Sequence, residues 1–208
     1  MLPHKKHSEA HDDDSNHNKL STARLEAFSD GVMAIIITIT VLELKVPLGH
    51  TFADLKPLLP LFITYIVSFQ AIGTYWNNHH HLLRVTKHVS TGIMWSNLNL
   101  LFWMSLIPFG AGWLGENHGS GSATVLYSLI LLMCAIAYFL LQWQVLKHAT
   151  NREQLIKEFN KSPKGTVSLV LYAAAVLVGA YYPIVADIFI VLVSVMWFIP
   201  DRRIEKYL

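Results

Sequence analysis

Apolar and polar positions alternate along the chain in long blocks, and the blocks set the architecture. A helix needs about 20 mostly apolar residues to cross the hydrocarbon of a bilayer. Residues 25–44 form the first such block, uncharged from 31 to 42; residues 57–78, 91–114 and 123–146 form the next three. The last block, residues 165–200, carries Asp187 as its only charge. At about 1.5 Å per residue it is far too long for one span. Gly179, Tyr181, Tyr182 and Pro183 offer a turn at its midpoint, so it reads as a hairpin of two short helices. The pattern predicts an all-α membrane protein with six transmembrane helices.

Charge placement tests that count. Lysine and arginine concentrate in cytoplasmic loops. With six spans, 14 of the 16 basic residues fall on one side, in the N-terminal segment, the second and fourth loops and the C-terminus. Lys45 and Lys56 alone fall on the other. Six spans with both termini in the cytoplasm follow, and five would put Arg202, Arg203 and Lys206 on the wrong side. Composition agrees: 53% of residues are apolar and 14% charged, against about 25% charged in an ordinary soluble domain. A soluble enzyme is excluded on this ground. The net charge of +2 gives no reason to expect a nucleic-acid partner.

Residues 1–22 are polar, with four histidines and the run Asp12-Asp13-Asp14. They read as a disordered cytoplasmic tail, not a signal peptide, because the first apolar block begins too late and runs too long. Residues 23–208 then form one six-span domain. Leu155, Ile156 and Phe159 have helical spacing in the fourth loop, which would let the fourth helix continue into the interface. The single cysteine, Cys134, lies in an apolar run and admits no internal disulfide.

Polar residues inside spans are costly and mark function by default. Helix one carries Arg24 and Asp30 at its cytoplasmic end, Thr38 and Thr40 within, and Glu43 at its outer end. Helix two ends in Trp76, Asn77, Asn78 and His79 to His81, and helix three begins with Trp95, Ser96, Asn97 and Asn99. The topology brings these three ends to one cytoplasmic layer. They serve either as a self-satisfying packing network or as direct contacts for a transported species. Consecutive histidines point about 100° apart and cannot all ligate one ion. His81 and His88 could share a face, but no carboxylate or cysteine completes a metal set. There is no Ser-His-Asp arrangement, phosphate-cradling loop or paired helical carboxylate, so neither an enzyme nor a cofactor is expected. At about 100° per residue, Gly31, Ile35, Thr38, Ile39 and Leu42 form one face of helix one, with Asp30 on the opposite side. That face turns either to lipid or to a symmetry axis.

The segment RLEAFSDGV, residues 24–32, resembles the Arg-x-x-x-Phe-Ser-Asp signature opening the first helix of the endolysosomal and prokaryotic transmembrane potassium-channel family that lacks the usual filter. Six spans and the Trp, Asn and His cluster ending helix two resemble that family too. The resemblance implies the prokaryotic single-unit form, a homotetramer in a plasma membrane. It implies a central pore lined by four copies of helix one, with constricting rings at Ile35 and Leu42 and Thr38 between them. It further implies that Arg24, Phe28, Ser29 and Asp30 bind polar groups of helices two and three, here Trp76, Asn77, His80 and Asn97. No Thr-Val-Gly-Tyr-Gly loop exists to replace an ion's hydration shell. A narrow apolar ring would instead impose partial dehydration, which disfavours sodium over potassium. Thr38 would offer four hydroxyls, and Glu43 at the outer mouth would concentrate cations. The expected function is passive potassium-selective conduction, with lipid and potassium ions as the other partners. The alternative is a proton-coupled secondary cation transporter using Asp30 and the histidines; the two halves show no evident inverted repeat.

Overall fold

The computed structural model describes residues 21–86, 88–149, 153, 156–157 and 162–198. Among them every regular element is helical. Helix α1 spans Thr22–Thr40 and continues as a 3-10 turn, Val41–Glu43. A second 3-10 segment, Phe52–Leu58, leads into α2, Leu59–Arg84. Then come α3, Thr91–Ser105; α4, Ile107–Glu116; α5, Gly121–His148; α6, Lys164–Gly179; and α7, Pro183–Phe198. Thr22–Glu43, Phe52–Arg84, Thr91–Glu116 and Gly121–His148 are long and apolar enough to cross a bilayer, while α6 and α7 are shorter apolar helices.

Local chemistry sets the helix starts. The Ser21 hydroxyl accepts from the Arg24 N–H at 3.4 Å, and Ser90 accepts from Ile93 N–H at 3.3 Å. Each satisfies one of the free donors of a helix N-terminus. Ser21 and Thr22 are the only described residues of the polar N-terminal segment. Of Leu155, Ile156 and Phe159, only Ile156 lies among the described residues, and it is helical; α5 itself ends at His148.

Two boundaries differ from expectation. The third apolar block is two helices, because Pro108 has no N–H to donate to the carbonyl four residues back and its ring crowds that turn. The chain breaks at Leu106, whose N–H turns to the Trp103 carbonyl at 3.2 Å. Helix α2, in turn, runs six residues past its expected end at 78, to Arg84. Its polar residues do not stop it, because several find partners on α1 and α3.

Helix α5 is the hub. It packs on α3, α4, α6 and α7, and Tyr127, Leu131, Cys134 and Leu141 on it are almost wholly buried. Gly121 permits a close backbone approach: a Cβ there would lie 2.6 Å from the Ala180 carbonyl oxygen. The start of α5 therefore sits on the α6–α7 turn, where Tyr181 and Tyr182 N–H groups both bond back to the Val178 carbonyl. Helix α1 lies to one side, packed against α2, α3 and α4. That arrangement covers half of its surface and leaves the other half open.

Candidate permeation surface and the polar tie behind it

The covered half of α1 is defined by Leu25, Ser29, Met33, Ile36 and Thr40, all buried. Their spacing of three and four residues is that of one helical face. The open half carries Gly31, Ile35, Thr38, Ile39 and Leu42, every one exposed. Ile35 is 58% and Leu42 76% exposed, large values for aliphatic side chains. A Cβ placed on Gly31 would meet nothing within 4 Å. The Thr38 hydroxyl donates back to the carbonyls of Ala34 (3.0 Å) and Ile35 (2.9 Å). Its proton is thus engaged, and its oxygen lone pairs are left for the open side.

The change to a 3-10 turn after Thr40 alters the expected stacking. A 3-10 step rises about 2.0 Å and turns 120°, against 1.5 Å and 100° in an α-helix. Leu42 therefore sits roughly 11–12 Å above Ile35 and not the ~10 Å of a continuous α-helix. It stays within about 20° of the Ile35 line. An apolar crevice of about 380 Å³ runs beside this face, lined by Val32, Ile35, Ile36, Ile39, Pro108 and Phe109 among others. At the C-terminal end of the 3-10 turn Glu43 lies against Gly112 of α4, where a Cβ would collide with its carboxylate. Close by, Lys45 Nζ meets Glu116 Oε1 at 2.6 Å. The Glu116 carboxylate, by hydrogen bond and charge, raises the Lys45 pKa above its ordinary value.

Behind the open face, two side-chain chains tie the base of α1 to α2 and α3. In the first, the Ser29 hydroxyl donates to the Leu25 carbonyl (2.8 Å) and accepts from Asn97 Nδ2 (2.8 Å). Asn97 Oδ1 in turn meets His79 Nε2 at 2.7 Å. All three residues are fully buried. In the second, Trp76 Nε1 donates to Asp30 Oδ1 (3.0 Å), and His80 Nδ1 meets Glu26 Oε1 (2.6 Å). The Trp76 and His80 rings stack with centroids 6.5 Å apart.

Ser29, Asp30, Trp76, His80 and Asn97 are thus brought together. Arg24, Phe28 and Asn77 are not: all three are exposed, and no side-chain hydrogen bond joins them to the tie. Arg24 and Phe28 lie within about 20° of the Ile35 line, so they share the open face. Sequence reasoning missed Glu26 and His79. Glu26 had a signal, lying one turn before Asp30; His79 is set apart from its two neighbours only by the structure, which buries it in line with Ile72 and Leu83. Among the described residues no group of three His, Cys, Asp or Glu is placed to hold a metal ion.

Comparison with known proteins decides the family. Residues 24–108 match the sequence model described as the endosomal/lysosomal potassium channel TMEM175. A protein named potassium channel HX13_20290, from a Chryseobacterium species, is 45% identical over 91% of this chain and 98% of its own. The chain belongs to the TMEM175 family. The family that the sequence resembles is thereby confirmed. A second relative, named potassium channel B446_29190, of Streptomyces collinus, is 32% identical over 73% of this chain and 76% of its own. The crystal structure of a lysosomal potassium-selective channel TMEM175 homolog from Chamaesiphon minutus matches with a TM-score of 0.63 at 28% identity. It covers 85% of this chain and 97% of that one. The TMEM175 fold and the all-helical architecture are therefore shared.

Proposed function

We propose that the protein is a homotetrameric, potassium-selective cation channel of a prokaryotic plasma membrane, conducting passively through a pore on its four-fold axis. The observation that carries this reading is the two-sidedness of α1. One half is fixed to α2, α3 and α4 by buried contacts and hydrogen bonds, and the other presents an aliphatic stripe with one hydroxyl that the described residues leave largely exposed. One helix cannot enclose a pore, whereas four copies around an axis can. The names of the relatives support potassium as the permeant ion.

Six spans with cytoplasmic termini are part of the proposal. Helices α6 and α7 have 16 residues each, about 24 Å against a hydrocarbon thickness near 30 Å. Such short helices cross by local thinning of the bilayer and by flanking residues that reach the interface. The placement of 14 basic residues on one side supports the crossing.

Selectivity follows from dehydration. Rings of Ile35 and Leu42 make the pore apolar and narrow, so an ion must shed part of its water to pass. Sodium holds that water more tightly than potassium. The Thr38 ring, between the two, supplies outward hydroxyl lone pairs as partial replacement. Glu43, at the outer end, would raise the local cation concentration. The β-branched Ile35 is stiff in a helix and gives the constriction a fixed wall. Purified protein in potassium-loaded liposomes tests the reading. Passive efflux that runs down the potassium gradient and exceeds sodium efflux is expected. Strict dependence on a proton counter-flux would overturn it in favour of a coupled transporter.

A further inference from the structure

The crevice beside Ile35 continues into a hollow of different chemistry. The hollow, of about 340 Å³, is bounded by Glu43, Phe109, Gly112, Trp113 and Glu116. Glu43 and Phe109 line the crevice as well, so the two spaces adjoin at those side chains. The hollow holds two carboxylates and two aromatic rings, with Phe109 61% and Trp113 38% exposed. The crevice is walled by aliphatic groups of Val32, Ile35, Ile36, Ile39 and Pro108. Its one hydroxyl, on Ser105, gives its proton to the Phe102 carbonyl.

An ammonium group already lies at the edge of the hollow, where Lys45 Nζ meets Glu116 Oε1 at 2.6 Å. That pair neutralises one carboxylate. Glu43 enters no ion pair and no side-chain hydrogen bond among the described residues. One negative charge is therefore left beside two aromatic rings. Gly112 makes this possible, because a Cβ there would take the place of the Glu43 carboxylate.

We propose that the two spaces form a binding site for a single-chain amphiphilic ammonium, its head among Glu43, Phe109 and Trp113 and its alkyl tail in the crevice beside Ile35. The inference rests on the channel reading above. The carboxylate draws the head by charge, and the rings hold an alkylated ammonium by cation–π attraction. The tail gains by leaving water for an apolar wall. Glu43 stands roughly 13–14 Å along α1 from Ile35, a span that an octyl tail and its head cover. A diacyl phospholipid suits the site less well, because its phosphate would face Glu43 and Glu116. Occupancy should inhibit conduction in two ways. The tail fills the space into which Ile35 would otherwise withdraw from the axis. The head neutralises Glu43, which lowers the cation concentration that this carboxylate sustains.

The test is potassium efflux from phosphatidylglycerol liposomes, with each protein compared with its own uninhibited flux. Octyltrimethylammonium should inhibit, while tetramethylammonium and octanol, the head and the tail alone, should be at least about tenfold weaker. Trp113→Leu should raise the inhibitory concentration about two- to fivefold. Trp143→Leu, which removes an exposed ring of α5, should leave it unchanged. An octylammonium carrying a photoreactive diazirine at its tail end locates the site directly. Mass spectrometry should find the label between Val32 and Ile39 and at Pro108, with protection by excess octyltrimethylammonium. This labelling also decides the matter should Trp113→Leu not assemble. Octanol as potent as octyltrimethylammonium, or unchanged potency in an assembled Trp113→Leu channel, would overturn the proposal and leave the channel reading intact. So would the absence of protected label in an intact tetramer, which would mean that a neighbouring copy fills the space. Label that disappears from this site, relative to the rest of the chain, when phosphatidylethanolamine is added would assign the space to lipid and likewise overturn it. Protected label at the site with no potassium flux under any condition would instead overturn the channel reading.

Discussion

The tie between Ser29 and Asn97 can be weighed by a double-mutant cycle. Asn97→Ala removes the acceptor of the His79 Nε2–H and leaves that donor buried, at a cost of about 1–3 kcal/mol. Ser29→Ala is milder. The Leu25 carbonyl keeps its backbone helix partner, and Asn97 loses one acceptor for its amide. The two side chains meet at 2.8 Å in a fully buried setting. Interhelical hydrogen bonds of this kind in membrane proteins average about 0.6 kcal/mol and reach about 1.7. The cycle should therefore show a coupling of roughly 0.6–1.7 kcal/mol. Asn97→Ala should be the more destabilising single change. Unfolding of the four proteins by denaturing detergent, followed by circular dichroism, gives the free energies. Additivity within about 0.3 kcal/mol, or a larger loss for Ser29→Ala than for Asn97→Ala, would refute the directional chain.

Ile35→Asn should wet the narrowest ring, raising potassium current and lowering the preference over sodium in planar-bilayer recordings; unchanged conductance in an assembled protein would show that this face does not line the pore. Thr38→Ala should leave current largely intact but weaken selectivity by a few-fold, read from reversal potentials, since only the hydroxyl oxygens are lost. Leu42→Ala should alter current less than Ile35→Asn does if Ile35 sets the main barrier, as proposed; an equal or larger effect would move the constriction to Leu42. Asp30→Ala strands the Trp76 indole N–H, and gel filtration should show a lower tetramer yield, with selectivity little changed in what assembles.

Much of the fold was legible because a bilayer allows few solutions. Apolar blocks of sufficient length, and the turn at Gly179 to Pro183, are simple signals that the helices follow. The break at Leu106 was less legible, since Pro108 sits in an otherwise uninterrupted apolar run, where a proline can either kink a span or end it. At the site, the stripe through Ile35 followed from helical period alone. Partner choice did not. Nothing in the run His79-His80-His81 says which ring faces α3, because that depends on the rotation of α2 against its neighbours. The buried spacing from Ile72 to His79 is the physical record of that rotation. The facing of Arg24 and Phe28 was not legible, because helical phase drifts over the eleven residues back from Ile35; the structure places both on the open side of α1.

The break in the third apolar block divides responsibility for α1. Before Leu106, α3 grips the N-terminal half of α1 through Asn97 and Ser29. After it, α4 supports the other half, where Gly112 leaves room for Glu43. The crevice beside Ile35 is lined from both sides of the joint, by Ser105 and by Pro108. A continuous helix would act as a single splint, and any tilt of it would shift Ile35 and Leu42 in concert. Two splints meeting at a joint level with Ile35 have a different mechanics. In the proposed tetramer the angle between them would set the diameter at Leu42 while the grip on Ser29 stays put, so the two ends of α1 could be adjusted separately.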